Sequence, residues 1–272
     1  MKNGSRFIGF LFKIFLIVTF SFPFLWMFGT AFKTYRESIV YPPKLLPSGL
    51  EWVNFLDVFR SGPFGLYTIN SILVVVCTMG IQFLIMIPAA YAFARYRFKG
   101  RNLLFGFVLL AFMVPNQITF VPVYLLMAKL GLLNTLWPQI LPFSANAFGI
   151  FLLRQSFMQI DDEIIEAAKL DNAGELKIVM KVMLPIVKPT LVTVGLFSFI
   201  NNWNSYFWPL VMTDTKNLRP LTVGLAMLKV SEGTLNWPVV MAGNVFLLLP
   251  ILAAYLFARN KMMASIGYSG IK

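Results

Sequence analysis

Six long apolar stretches constrain what this chain can fold into more than any other feature of its sequence. Each stretch is close to the ~20 residues that an α-helix needs to cross a bilayer. The stretches do not alternate apolar and polar residues as barrel strands do, so we expect helices. The predicted spans cover residues 14–32, 67–93, 103–126, 136–153, 189–210 and 239–257. The sequence therefore predicts an all-α membrane protein with six transmembrane helices, forming a single domain over residues 1–272.

The composition agrees with a chain embedded in lipid and excludes several kinds of site. Hydrophobic residues make up 58% of the chain and charged residues 12%, whereas a typical soluble domain has about 25% charged residues. There is no histidine and only one cysteine. Zinc and haem therefore lack their usual ligands, and an intramolecular disulfide is impossible. We expect no metal site and no bound cofactor in this chain.

Positive charge is distributed unevenly between the two sides of the predicted bundle. The net charge is +12, and 15 of the 23 lysines and arginines fall on the side that holds both termini. Cytoplasmic loops of membrane proteins collect Lys and Arg, which explains this charge better than nucleic-acid binding does. We therefore predict a multi-pass protein of the cell (inner, cytoplasmic) membrane with both termini in the cytoplasm. Lys2 and Arg6 precede the first span as in a signal peptide, but no small-residue cleavage site follows, so we interpret it as a retained span.

One segment between the fourth and fifth spans is too polar to cross a membrane. Residues 161–189 read "DDEIIEAAKLDNAGELKIVMKVMLPIVKP". Asp161 is suited to cap a helix whose first turn is acidic, because the helix dipole is positive at that end. Asn172 tolerates the left-handed conformation that ends many helices. The pattern predicts two short helices, the second from about residue 175, with a turn between them.

The first of these short helices is predicted to offer a close-packing face to another protein. The residues that share this face at helical spacing are Ile164, Ala167, Ala168 and Asp171. Alanine side chains leave room for another surface to approach. The Leu184-Pro185 pair is expected to end the second helix before the fifth span. The segment is suited to be a docking site for a partner protein. The simpler alternative is an amphipathic helix that lies on the membrane surface.

The segment resembles the EAA signature of binding-protein-dependent ABC importer permeases. That signature consists of Glu-Ala-Ala, three residues, Gly, nine residues and Ile-x-Leu-Pro. The matching residues are Glu166, Ala167, Ala168, Leu184 and Pro185. Asn172 replaces the glycine and Val182 replaces the isoleucine, and both changes are physically mild. Two longer stretches, "MVPNQITFVPVYLLMAKLGLLNTLWPQILP" and "NNWNSYFWPLVMTDTKNLRPLTVGL", are similar to the shorter six-span subunit of maltose-type carbohydrate importers.

This resemblance implies a type I ABC importer permease fold and a set of partners. The partners are a second permease in a heterodimer, two ATPase subunits and an extracytoplasmic solute-binding protein. The resemblance also implies that the segment is a coupling helix docked in a groove of the ATPase. The implied coupling residues are Glu166, Ala167, Ala168, Asp171, Asn172, Leu184 and Pro185. The chain has no Gly-x-x-x-x-Gly-Lys-Ser/Thr phosphate loop, so we expect ATP and Mg²⁺ on the partner ATPase and no catalytic residue here.

Neutral amides and aromatic residues recur near the middle depth of the predicted bundle. The candidates for lining a solute path are Asn116, Gln117, Asn201, Asn202, Trp203, Asn204 and Tyr206. Amides hydrogen-bond hydroxyl groups and aromatic rings stack on the apolar face of a sugar, so this set suits an uncharged, hydroxyl-rich solute. The alternative is that these amides bond neighbouring helices to one another. By the resemblance, the outer loop containing Glu232, Gly233 and Thr234 is a candidate to enter the binding protein; the alternative is a connecting turn.

The sequence favours a permease subunit of an ATP-driven sugar importer, which forms half of the translocation path and couples to a separate ATPase. An ion-coupled secondary transporter acting alone is the alternative. Proton-coupled carriers usually bury carboxylates within their spans. All 11 acidic residues here lie in loops or at the edges of the predicted spans, which disfavours that alternative.

Overall fold

The computed structural model describes residues 2–228 and 236–268, and all regular structure within these ranges is helical. This confirms the predicted all-α fold class. Short 3₁₀-helices lie at Leu141–Phe143 and Lys216–Leu218, and a π-helix lies at Ile178–Met183. In chain order the α-helices are α1 (Lys2–Ala31), α2 (Tyr35–Ile39), α3 (Val53–Arg60), α4 (Phe64–Arg95), α5 (Arg101–Met113), α6 (Asn116–Lys129), α7 (Trp137–Ile140), α8 (Ala147–Met158), α9 (Asp162–Leu170), α10 (Glu175–Lys177), α11 (Leu184–Ile186), α12 (Lys188–Trp203), α13 (Phe207–Met212), α14 (Leu221–Leu228) and α15 (Trp237–Tyr268).

Three of these helices are long and apolar enough to cross a membrane. They are Ile8–Ala31 within α1, all of α4, and Trp237–Met262 within α15, and they correspond to the predicted first, second and sixth spans. Two more candidates are bent pairs. Helices α5 and α6 meet at 98°, and Glu175–Ile186 meets α12 at 82°. The part of the chain that the structure describes therefore supplies three spans, or five if each bent pair is one span.

The prediction of a fourth span as one helix over residues 136–153 is wrong. The region is divided between α7, the first 3₁₀-helix and α8, and Asn146 is extended where α8 begins (φ −116°, ψ 91°). Pro138 and Pro142 remove backbone N–H donors from the first part, which prevents a continuous helix. The Asn146 side chain then accepts a 2.8 Å hydrogen bond from the Gly149 amide and caps α8.

The predicted third and fifth spans are also not continuous helices. Val114 is extended (φ −77°, ψ 119°) because it precedes Pro115, and it divides residues 103–126 into α5 and α6. Helix α12 ends at Trp203, so residues 204–206 interrupt the predicted span of 189–210 before α13 begins. Asparagine and serine compete for backbone hydrogen bonds and favour helix ends. The Asn-Asn-Trp-Asn-Ser sequence at residues 201–205 therefore suits a helix end.

The first of two compact units comprises Met1–Tyr67 and Leu221–Pro250. The buried Asn54 amide donates to the carbonyls of Ala31 and Lys33, both at 2.9 Å, and so satisfies carbonyls at the end of α1. Gly224 is required where α14 meets the Tyr67 ring, because a Cβ there would lie 2.3 Å from a ring carbon. These contacts fix the end of α1 and the position of α14 within this unit.

The second compact unit comprises Thr68–Pro220 and Ile251–Lys272 and contains the segments singled out from the sequence. Its core joins α4, α8, the π-helix and α12. Core residues fully excluded from solvent include Met86, Leu153, Phe157, Ile178, Met183 and Val194. Partly buried Ala168 and Leu184 pack against this core, which positions the polar segment of residues 161–189 against α4 and α8.

Candidate functional site

The polar segment folds as two short helices joined by a tight turn, as the sequence predicts. Helix α9 ends in a Schellman motif around Asn172, whose φ of 53° is left-handed. The Asn172 amide donates to the Lys169 carbonyl and the Ala173 amide donates to the Ala168 carbonyl, both at 3.0 Å. These bonds satisfy two carbonyls that the helix end leaves free. The predicted left-handed turn at Asn172 is therefore confirmed.

Two local details differ from the prediction. Asp161 occupies the N-cap position of α9 with extended backbone, but its side chain makes no capping hydrogen bond. The second helix does not end at Leu184-Pro185; it continues to Ile186 and breaks at Val187 (φ −89°, ψ 14°). A proline disturbs the turn that precedes it. That turn is here the wider π-helix, which lets the chain remain helical through Pro185.

The exposed side of the segment differs slightly from the predicted face. Ile165 is buried, and Ala168, three residues further on, packs against the protein's own core. Helical spacing places these two residues on the same side. Ala168 is therefore not part of a free face. Leu184 is also half-buried in the core. The implied coupling residues that remain exposed are Glu166, Ala167, Asp171, Asn172 and Pro185.

Large apolar side chains on the same segment are exposed, and of these the sequence analysis placed only Ile164 on the predicted contact face. Leu170 is 83% exposed and Leu176 is 77% exposed, and both lie outside the spans predicted from the sequence. Ile164 and Met180 are also exposed. We call Ile164, Leu170, Leu176 and Met180 the apolar contact residues of the segment. Leucines in an otherwise charged stretch were the available signal, because such residues are costly in water unless a partner covers them.

The amides of the predicted path meet at a cavity in the second unit. Its volume is about 940 Å³. The polar residues that line it are Gln82, Asn116, Gln117, Asn146, Ser198, Asn201, Asn202 and Ser205. The aromatic residues that line it are Phe112, Phe143, Phe148, Phe197, Phe207 and Trp208. The structure thus brings together four of the seven path candidates: Asn116, Gln117, Asn201 and Asn202.

Some of the lining amides are held by the protein itself. Gln82 donates to the Phe143 carbonyl at 2.6 Å and accepts from the Ser198 hydroxyl. Asn202 donates to the Ser198 carbonyl at 2.8 Å, and Asn146 caps α8. These groups bond neighbouring elements, as the alternative interpretation expected. Their hydrogen-bonding capacity is largely used within the protein.

Other lining amides make no hydrogen bond within the described part of the chain. Asn116, Gln117 and Asn201 are exposed, and among the described residues their side chains have no intramolecular hydrogen-bond partner. The bend between α5 and α6 places the first two at the start of α6, beside the cavity. The solute-path interpretation stays a prediction for these three residues. These three amides have donors and acceptors available for hydroxyl groups.

Three path candidates lie elsewhere. Trp203 is buried and stacks on Phe199 with ring centroids 5.7 Å apart. Asn204 and Tyr206 are exposed but do not line the cavity. Each helical residue is rotated by about 100° from the one before it, which directs Trp203 away from the side of α12 that lines the cavity. Helix α12 ends at Trp203, so Asn204 and Tyr206 no longer follow its spacing. The candidate binding-protein loop of Glu232, Gly233 and Thr234 lies outside the described residues.

Comparisons with known proteins agree on one family. Residues 82–260 match the family described as "Binding-protein-dependent transport system inner membrane component". The chain is 32% identical over 268 residues to the arabinooligosaccharides transport system permease protein AraQ of Halalkalibacterium halodurans, covering 97% of this chain and 95% of that protein. It is 31% identical over 251 residues to the sn-glycerol-3-phosphate transport system permease protein UgpE of Pectobacterium atrosepticum, covering 90% and 89%.

Solved structures agree with this family. A bacterial ABC transporter involved in the import of the acidic polysaccharide alginate contains a chain that superposes with a TM-score of 0.84. The two chains are 26% identical, and the match covers 94% of this chain and 97% of that one. A chain of a bacterial alginate ABC transporter in complex with alginate pentasaccharide-bound periplasmic protein superposes with a TM-score of 0.63 at 14% identity, over 94% and 93% of the two chains, and shares the fold.

Proposed function

Because the chain belongs to the family of binding-protein-dependent transport system inner membrane components, we propose that it is a permease subunit of an ATP-driven sugar importer. The family consists of transport components, so the chain is not a catalytic subunit. We do not retain the alternative of an ion-coupled carrier acting alone, because such a carrier does not belong to a binding-protein-dependent transport system. The relatives are named for arabinooligosaccharides and sn-glycerol-3-phosphate, and the structural relative imports alginate. Their solutes are sugars or hydroxyl-bearing phosphates, which supports a carbohydrate substrate.

The exposed polar segment of residues 161–189, which we call the coupling segment, is the observation that carries this proposal. It lies outside the predicted apolar spans, its first helix ends in the Schellman motif, and its apolar contact residues are exposed in the described part of the chain. A self-sufficient transporter has no use for such a surface. We assign its cover to an ATPase subunit, which binds ATP and Mg²⁺ and hydrolyses ATP. Glu166, Ala167 and Asp171 are exposed beside the apolar contact residues and would contribute polar and close-packed contacts.

The remaining partners follow from the same assignment. A second permease completes a heterodimer, in which this chain forms half of the translocation path, and a second ATPase and an extracytoplasmic binding protein complete the importer. The coupling segment must face the cytoplasm for an ATPase to reach it. The distribution of Lys and Arg supports this orientation, with both termini in the cytoplasm.

The cavity supplies the proposed path through this subunit. Asn116, Gln117 and Asn201 offer amides that no other group of the described chain occupies, and aromatic rings line the same space. Rings and amides together suit hydroxyl-rich solutes, because the rings cover apolar sugar faces while amides replace water at the hydroxyls. Gln82, Asn146 and Asn202 shape this cavity by holding its walls together.

A cysteine at position 201 tests whether solute passes this cavity. In a background with Cys77→Ser, we expect Asn201→Cys to react with a small water-soluble methanethiosulfonate reagent in the reconstituted importer. The adduct should block most of the uptake, and excess sugar should slow the reaction. Asn204→Cys is the matched control, because it is an exposed asparagine outside the cavity. It should react without protection by sugar. Complete protection of position 201 in every nucleotide state would contradict the assignment.

A further inference from the structure

Two side chains at the end of α4 hold the coupling segment at two separate points. Tyr91 and Arg95 are four residues apart in the last turns of α4, so they project from the same side of the helix. Tyr91 is buried, and the Arg95 side chain is only 14% exposed. Arg95 is one of the 15 lysines and arginines predicted on the side of the termini, and the sequence assigned no role to Tyr91.

The Arg95 guanidinium joins three groups from two elements. One nitrogen donates to a carboxylate oxygen of Asp162, the first residue of α9. The other terminal nitrogen donates to the carbonyls of Phe157 and Ile160, at the end of α8. Carbonyls at a helix end carry partial negative charge, so a cation is favoured there. Arg95 therefore ties α4 to the point where α8 leads into the coupling segment.

The contact with the carbonyls is the stronger part of this anchor. The Asp162 side chain is 82% exposed, so its ion pair with Arg95 is screened by water and contributes little. The carbonyl contacts are partly buried, and both come from one terminal nitrogen of the guanidinium. Lysine has a single ammonium nitrogen, so it cannot hold the two carbonyls and Asp162 from two separate nitrogens as Arg95 does.

Tyr91 holds the second helix of the segment. Its hydroxyl donates to a carboxylate oxygen of Glu175, the first residue of α10. Its ring packs edge-on against Phe157, with centroids 6.4 Å apart, and against Tyr96 at 5.5 Å. The first residues of the segment's two helices are Asp162 in α9 and Glu175 in α10. Both are thus bonded to the same end of α4.

Helix α4 also reaches the cavity. Gln82 lines the cavity and bonds both Phe143 and Ser198. It precedes Arg95 by 13 residues, which is about 20 Å along a continuous helix. A displacement of the coupling segment can therefore be carried by one continuous helix to the cavity wall, provided that the segment is fixed to α4.

We propose that Arg95 and Tyr91 are positioning residues that fasten the coupling segment to α4, so that motion of the ATPase moves the cavity wall. This inference rests on the proposed function and adds the part of the chain that transmits the motion. Without the two anchors, the segment still docks on the ATPase but shifts relative to α4. ATP hydrolysis then proceeds with less solute imported for each ATP.

The test measures solute imported per ATP hydrolysed, in liposomes containing the complete importer and its binding protein. We expect Arg95→Gln to lower this ratio by about five-fold, and Tyr91→Phe by about two-fold, since mutations between coupled sites typically act in this range. Arg95→Lys should fall between Arg95→Gln and the unmodified protein. Asp162→Asn should change the ratio little, because the carbonyl contacts remain. Arg97→Gln is the control, because Arg97 is exposed and lies two residues further along.

The amount of solute imported per ATP hydrolysed does not depend on how much importer assembles. A lower ratio therefore indicates a loss of positioning and not a loss of folded protein. An unchanged ratio in Arg95→Gln and Tyr91→Phe would overturn the proposal, as would an equal loss in Arg97→Gln. If Arg95→Gln does not assemble, Tyr91→Phe decides the question, because it removes a single hydroxyl and keeps the packed ring. Absence of ATP-driven uptake by the unmodified importer would instead refute the proposed function.

Discussion

Leu170→Asp is expected to stop ATP-driven uptake while the amount of the chain in the membrane stays normal. Leu170 is 83% exposed, so the substitution removes no packing from the protein's own core. In the docked complex the new carboxylate would be buried without a partner, which costs about 3–5 kcal/mol and weakens docking by at least ~100-fold. Uptake of labelled solute into membrane vesicles, with immunoblotting of the chain, measures both effects.

Leu46→Asp is the matched control for this substitution. Leu46 is 74% exposed in the loop between α2 and α3, so it tests the same change of side chain away from the coupling segment. We expect uptake within about two-fold of normal, as for most surface substitutions. Normal uptake by Leu170→Asp would show that the apolar contact residues do not dock on the ATPase.

Gly149→Val is expected to prevent the second unit from packing. A Cβ at this position would lie 2.6 Å from the Met86 sulfur, 3.0 Å from a Val194 methyl and 3.2 Å from the Asn146 side chain. These neighbours belong to three elements, and Met86 and Val194 are fully buried, so they have little room to move. Overpacking of this kind costs about 3 kcal/mol. The level of the chain in the membrane should fall several-fold, because abundance follows stability.

Gly80→Val provides the comparison for that experiment. Gly80 lies on α4, the helix that also carries Met86, but a Cβ there meets no atom within 4 Å. The variant should accumulate normally. If Gly149→Val accumulates as well as Gly80→Val, the close contact of α8 with α4 and α12 is not a feature of the folded protein.

The coupling segment was predictable because its signals are local. Asn172 has a backbone preference that acts within a few residues, and the acidic first turn marks the start of α9. The Schellman motif at Asn172 is the direct result. The EAA signature added the functional interpretation, and the match of residues 82–260 to the transport family agrees with it.

The interruptions of the spans were less predictable, because hydrophobicity measures burial and not helix continuity. Residues 136–153 are apolar enough for a span, yet Pro138 and Pro142 prevent one helix. A proline is tolerated inside α4 at Pro88 and inside α15 at Pro250. The outcome depends on which neighbouring groups satisfy the freed carbonyls, and sequence periodicity does not contain that information.

Contacts between distant residues were not predictable from one sequence. Arg95 bonds residues that lie more than 60 positions away, and Tyr91 bonds Glu175, 84 positions away. No spacing rule relates these positions. The division of the amides into bonded and free groups has the same origin, because Gln82 finds its partners in Phe143 and Ser198 only after folding.

Crosslinking from position 170 tests the proposed link to a separate ATPase most directly. The chain has one cysteine, Cys77, so Cys77→Ser followed by Leu170→Cys creates a single reactive site. With a short bifunctional thiol-reactive crosslinker applied to permeabilised cells, we expect an adduct with a nucleotide-hydrolysing subunit, identified by mass spectrometry. An adduct with no such subunit, or labelling of position 170 by an impermeant reagent outside intact cells, would contradict it.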